Sequence, residues 1–181
     1  NEAPLTEEQV KTHFALIDSH TSDIVNDDRS AIKRFLRGLD FYLVQDFDSS
    51  IADMTQAILL DDTFFPAYFV RALLRCKQLE YMKAEAIIDS NLPHQARNQE
   101  NELGKFNMEY ELIRKDLDKV IEIAPDYVYA YYNRGYVLSQ LKDYRGALAD
   151  YDKAISLYPN FAEAYFNRGL IHIFIGDNNK G

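Results

Sequence analysis

The stretch VYAYYNRGYVLSQLKDYRGALADYDKAISLYPNF, residues Val128–Phe161, decides the fold. It holds two amphipathic segments. The first sets Tyr131, Arg134, Gly135 and Leu138 on one stripe by i, i+3, i+4, i+7 spacing, and the second does the same with Ala147, Tyr151, Ala154 and Ile155. Asp143, between them, has the side chain of an N-cap for the second helix, and Pro159 stops that helix. The stretch therefore predicts a helical hairpin.

Immediately downstream the pattern begins again. AYFNRGLIHIFIGDN, from Ala164, is a near-copy of AYYNRGYVLSQLKDY, from Ala130. An offset of 34 residues pairs Tyr131 with Tyr165, Asn133 with Asn167, Arg134 with Arg168, Gly135 with Gly169 and Pro125 with Pro159. Upstream the same offset pairs Phe35 with Phe69, Arg37 with Arg71 and Gly38 with Ala72. Arg71 and Arg134 are 63 residues apart, so the unit between them carries 29 extra residues. A period of this size signals stacked supersecondary units, each burying its apolar face on its neighbours. The expected organisation is capping helix or helices over 1–30, a degenerate repeat over 31–64, a repeat over 65–127 with its insertion near 83–110, a repeat over 128–161, and the first helix of a further repeat over 162–181. In the inserted part KAEAIIDS extends the first helix, and NLPHQARNQENELGK reads as a polar loop.

These residues resemble the tetratricopeptide repeat. Within the 128–161 unit the match is Tyr131 at the fourth position, Gly135 at the eighth, Ala147 at the twentieth, Tyr151 at the twenty-fourth, Ala154 at the twenty-seventh and Pro159 at the thirty-second. The 31–64 unit keeps Gly38, Ala57 and Leu60 but has Arg34 at the aromatic position and Asp62 in place of proline. The resemblance covers residues 31–181. It implies an all-α fold, an α-α superhelix of tandem hairpins, whose first helices line a concave groove that holds a peptide or partner protein.

One feature is unusual for apolar helices. The seventh residue of each unit is an arginine: Arg37, Arg71, Arg134 and Arg168. The twenty-third residue of each complete unit is an aspartate: Asp53, Asp116 and Asp150. In an antiparallel hairpin these positions lie at similar heights, so Arg37 with Asp53, Arg71 with Asp116, and Arg134 with Asp150 are expected ion pairs. A guanidinium fork meets a carboxylate through two hydrogen bonds. Arg168 lies in a unit whose second helix is not in the chain, so it is expected to lack a mate.

In the resembling family the groove uses the second, fifth, ninth and twelfth positions. Here the fifth are Phe35, Phe69, Tyr132 and Phe166, and the ninth are Leu39, Leu73, Tyr136 and Leu170. This is an aromatic and apolar stripe, of which packing between neighbouring helices would use part. Asn133 and Asn167, at the sixth position, can each donate to and accept from a peptide backbone. Relatives that clamp a C-terminal carboxylate carry lysine and arginine at the second and sixth positions. This chain has Glu163 with Asn167, and Pro66 with Val70, so that clamp is incomplete.

Composition bounds the remaining possibilities. Twenty basic against 29 acidic side chains give a net charge of -9, the opposite of the basic stripe that neutralises phosphates. Nucleic acid is not an expected partner. Seven Gly, five Pro and no Trp leave little turn chemistry for a many-stranded β fold. No apolar run reaches the roughly 20 residues of a membrane span, and the acidic start NEAPLTEEQV is unlike a signal peptide. Lone Cys76 excludes an internal disulfide and leaves cytoplasm and periplasm equally open. His13 and His20 are seven apart and share a helix face, but no third ligand is placed to join them. His94 and His172 are isolated. No phosphate loop or nucleophile elbow occurs. The expectation is a binding scaffold with no enzyme activity, cofactor or metal. Alternatives are a docking or sensory module of a larger enzyme or cell-envelope complex, and a homodimer formed through Ile171, Ile173, Phe174 and Ile175 on the last helix.

Overall fold

Four of the helices start where a side chain satisfies free amides of the first turn. The computed structural model describes the backbone of residues 5–90 and 99–176 and the side chains of 5–86 and 103–176. Residues 91–98, His94 among them, and the residues after Gly176 lie outside that range; the expected polar loop is corrected over 99–105, which are helical. Among the described residues there are eight helices and no strand: α1 (Glu7–Asn26), α2 (Ala31–Leu43), α3 (Phe47–Leu60), α4 (Phe65–Ser90), α5 (Gln99–Ile123), α6 (Val128–Gln140), α7 (Tyr144–Leu157) and α8 (Ala162–Phe174). No described helix is long and apolar enough to cross a membrane. Thr6 and Gln9 form a reciprocal capping box on α1. Ser30, Asp46 and Asp143 accept from the amides of Lys33, Ser49 and Gly146 at the starts of α2, α3 and α7.

The hairpin turns share one backbone device. Gln45 and Lys142 both adopt φ 65°, the left-handed region. Behind them Asp46 N donates to Phe41 O, and Asp143 N donates to Leu138 O, each at 2.9 Å. This closes the ends of α2 and α6 as Schellman turns, a conformation that costs a non-glycine residue roughly 1–2 kcal/mol. Gly176 repeats it after α8, at φ 82°. The same residue that ends one helix is followed by the aspartate that caps the next, so reversal takes only three residues.

Two compact units divide the chain, residues 1–78 and 79–181, with the boundary inside α4. In the first, Met54, Ala57, Ile58, Ala67 and Leu74 form the buried cluster, with Phe35, Phe47 and Phe64 packed on it. In the second, Tyr131, Ala147, Tyr151, Ala154, Phe161, Ala164 and Ile171 are the cluster, with Tyr132 and Tyr144 against it. Small residues sit where helices meet most closely. A Cβ on Gly135 would stand 3.0 Å from Tyr151 Cε1.

The α1–α2 contact departs from this apolar scheme. Asp40, only 7% exposed, occupies the position that Leu74 and Ile171 fill one and several units on. His13 Nδ1 donates to Asp40 Oδ1 at 2.9 Å, and His20 Nδ1 lies 2.9 Å from Oδ2 at ion-pair distance but off the hydrogen-bond direction. One period later the corresponding residues are Phe47, Met54 and Leu74, members of the apolar cluster or packed on it. A polar layer thus replaces an apolar one between α1 and α2. The sequence placed His13 and His20 on one face, and only the fold supplied the carboxylate they turn to. Among the described residues no group of three or more His, Cys, Asp or Glu is arranged to hold a metal ion.

Candidate functional site

The arginines tie the first helix of a repeat to its neighbours. Arg134 Nε and Nη2 donate to Asp150 Oδ2 and Oδ1 at 2.8 and 2.7 Å. Its remaining nitrogen, Nη1, turns back and donates to Asp118 Oδ1 on α5 at 2.8 Å. One guanidinium therefore ties α5, α6 and α7. Arg37 does the same in the first unit, with Asp53 Oδ2 and Oδ1 at 2.7 and 2.6 Å and Thr21 Oγ1 on α1 at 3.2 Å. Arg71 Nη1 reaches Thr55 Oγ1 at 3.0 Å. Arg71 stands in the first unit, and Asp116, which is buried, in the second.

The expectation that Arg168 lacks a mate is corrected. Its Nη1 donates to Asp152 Oδ1 at 2.7 Å. All four arginines reach back 16 residues, to Thr21, Thr55, Asp118 and Asp152. The acceptor is threonine in the first two repeats and aspartate in the last two, so no one residue type marks this contact along the whole chain. Three of these cations also lie over the aromatic ring three residues before them, Tyr68, Tyr131 and Tyr165, at 5.7, 5.7 and 5.2 Å from the centroid. Arg34 fills that ring position in the first repeat, and Arg37 lies over Phe41 instead.

Electrostatics follow from burial. The hydrogen bonds from Arg134 to Asp150 raise the guanidinium above its ordinary value. Desolvation pushes Asp150 up from the ordinary carboxylate range, and the Arg134 hydrogen bond pulls it down. The carboxylate is the costly member of the pair, and the arginine is what keeps it tolerable in the interior.

The stripe residues divide into packed and open. Phe35 meets Phe64 edge-on at 5.2 Å, and Leu39 and Phe69 are half-buried, while Leu73 is exposed. Tyr132 is wedged between Phe161 and Tyr151, with ring centroids 4.7 and 6.0 Å away. Tyr136 is half-buried. Phe166 is 67% exposed and Leu170 48%. The asparagines face different tasks. Asn133 Nδ2 donates to Tyr129 O in its own helix at 2.7 Å, while Asn167 Nδ2 donates to Tyr132 OH at 3.1 Å and bridges α8 to α6.

Near the C-terminal ends of α6 and α8 the surface opens into a cavity of about 460 Å³, lined by Ser139, Gln140, Tyr144, Leu170, Ile173 and Phe174. Leu170 is the one stripe residue the sequence singled out that lines it. Ser139 and Ile173 hold the twelfth position of their repeats, the signal that could have found them. Gln140, Tyr144 and Phe174 fall outside the repeat positions assigned to the groove.

The tetratricopeptide-repeat family model matches residues 128–161, and a second tetratricopeptide-repeat model matches 150–181. Among solved structures the chain is similar to MamA, with a TM-score of 0.69 at 20% identity over 91% of this chain and 79% of that one. It is similar to residues 41 to the end of MamA from Desulfovibrio magneticus RS-1, with a TM-score of 0.66 at 12% identity over 97% and 90%. It is also similar to the first such domain of Spaghetti (RPAP3) bound to the HSP90 peptide SRMEEVD, with a TM-score of 0.61 at 17% identity over 82% and 95%. At these identities the likeness is one of fold. No curated protein sequence matches the chain.

Proposed function

Since this chain is a tetratricopeptide-repeat protein, an all-α array of tandem hairpins, we propose that it is a scaffold without chemistry of its own, binding a peptide or partner protein along the first helices of its repeats. The observation that carries this reading is the open half of the stripe: Phe166 and Leu170 stand exposed beside an apolar cavity on α8, which Arg168 ties to Asp152 of α7. Exposed, contiguous apolar surface of this kind marks interaction sites. That an RPAP3 domain of the same fold holds a short peptide supports the analogy. Phe166, Leu170 and Asn167 are the groove residues we assign to contact. Within the second unit Tyr132, Asn133 and Tyr136 support the floor, and within the first unit Phe35, Leu39, Phe69 and Leu73 are the residues we assign to the same role.

Panning a random peptide library on the immobilised chain, then measuring selected peptides against Phe166→Ala and Leu170→Ala, tests the proposal. Peptides should bind these variants at least fivefold more weakly. Peptides that bind the variants as tightly as the parent overturn it.

A second reading, self-association, is favoured by the exposure of Ile173, Phe174 and Ile175 on and just past α8, whereas Ile171, expected to join them, is buried in the core cluster of the second unit. Sedimentation velocity over a dilution series checks it, a constant monomer mass ruling it out.

A further inference from the structure

Lys83 is a half-buried cation held without a carboxylate. Arg37 and Arg134 are each neutralised by a bidentate carboxylate. Lys83, on α4, instead gives its hydrogens to neutral oxygens: Tyr110 OH on α5 at 2.7 Å and Gln140 Oε1 on α6 at 3.3 Å. The Tyr110 hydroxyl in turn donates to the same Gln140 oxygen at 3.1 Å. The ammonium lies 4.8 Å from the Tyr110 ring centroid and 5.9 Å from that of Phe106. Among the described residues no carboxylate forms an ion pair with it, and the acidic group felt most is Glu80, at longer range.

This arrangement fixes the direction of one amide. With two donors converging on it, the Gln140 oxygen must face Lys83 and Tyr110, since the reversed amide would set its NH₂ against an ammonium. What Gln140 has left to offer is Nε2, and Gln140 forms part of the cavity wall beside Leu170, Ile173 and Phe174. An amide whose oxygen is bound by a cation is polarised, so its N–H groups are stronger donors. The surroundings are apolar, where such a bond is least weakened by water.

We propose that Gln140, backed by the unneutralised Lys83, is the polar anchor of this cavity, and that it takes a carboxylate of a peptide whose neighbouring side chain is apolar. The apolar side chain fills the space between Leu170, Ile173 and Phe174. The carboxylate accepts from Gln140 Nε2 and supplies the negative charge that Lys83 lacks. This subsite stands apart from the second and sixth repeat positions, which here carry Glu163, Asn167, Pro66 and Val70. It depends on Lys83, near the start of the inserted segment. The inference rests on the groove reading and sharpens it to a ligand chemistry.

The test uses two fluorescein-labelled, C-terminally amidated hexapeptides, Gly-Ser-Leu-Glu-Ser-Gly and Gly-Ser-Leu-Gln-Ser-Gly. Affinity is read by anisotropy and location by the methyl resonances of Leu170 and Ile173. The Glu peptide should bind roughly tenfold more tightly, the size of one charge-assisted hydrogen bond. Lys83→Met and Gln140→Leu should each abolish that preference, while Phe174→Ala weakens both peptides alike. Equal affinity of the two peptides for the parent, with methyl shifts in both cases, overturns the carboxylate proposal and leaves the groove reading standing. Neither peptide shifting the methyls overturns both. A preference that survives in folded Lys83→Met also overturns the proposal. If circular dichroism shows that variant unfolded, the parent decides: added salt must shrink the Glu preference, and a preference unmoved by salt overturns the proposal.

Discussion

Arg168 Nη1 lies 2.7 Å from Asp152 Oδ1, a carboxylate 16 residues upstream on the preceding helix. The same step links Arg134 to Asp118, and Arg134, like Arg37, fastens its helix to the one before it as well as to its own partner helix. The repeats are thus joined by bonds that cross repeat boundaries, and damage at one arginine should spread to both neighbours.

The Asp150 prediction follows from that geometry. Asp150→Ala leaves Arg134 half-buried with only Asp118 to hold it, and should cost about 3 kcal/mol of unfolding free energy, the lower end for a broken interior pair. The double variant Arg134→Leu with Asp150→Leu should lose clearly less, because no charge is stranded. Urea denaturation of the three proteins checks this, and equal losses would contradict it.

Gly135 and Gly38 should respond differently to alanine. At Gly135 the new methyl meets the ring of Tyr151 at 3.0 to 3.2 Å, and that ring is fully buried. At Gly38 the nearest atom, at 2.6 Å, is the terminal methyl of Met54, which can swing away. Gly135→Ala should therefore destabilise by about 1–3 kcal/mol, while at Gly38 better helix propensity offsets most of the crowding. Melting temperatures of the two variants give the comparison, and a larger drop for Gly38→Ala would refute it.

The polar layer between α1 and α2 makes a third prediction. Asp40→Leu alone removes the acceptor of the His13 Nδ1 hydrogen and the carboxylate beside His20, and should cost roughly 1–3 kcal/mol. Replacing the whole layer by that of the next repeat, His13→Phe, His20→Met and Asp40→Leu, should recover or exceed the parent stability, since a matched apolar set needs no partner. Amide exchange in α1 reports the outcome locally: protection should fall in the single variant and return in the triple.

Desolvation lowers the pKa of Lys83 from its ordinary 10.5. In the window between that lowered value and 10.5, the unfolded chain holds a proton that the folded one has released, so this group makes stability rise with pH there. Below the window both states are protonated, and the folded state bears the full cost of the desolvated ammonium. Lys83 should consequently react faster with an acylating reagent at mildly alkaline pH than exposed lysines such as Lys142. Peptide mapping after brief labelling checks it, and slower reaction at Lys83 would count against the shift.

The sequence by itself determined the hairpins and their repetition. The spacing of Tyr131, Gly135, Ala147, Tyr151 and Ala154 specifies which faces must be buried, because helical periodicity converts directly into a stripe, and the recurring Arg and Asp letters named Arg134 with Asp150 before any coordinates. Three things required the tertiary structure. The left-handed turns at Gln45 and Lys142 carry no glycine to announce them. The backward contacts of the arginines join residues whose identities vary. The meeting of His13, His20 and Asp40, like that of Lys83, Tyr110 and Gln140, brings together side chains from different helices. Distance along the chain says nothing about such meetings; they depend on the angle and height at which one helix rests on another, and that is set by the packed side chains as a whole.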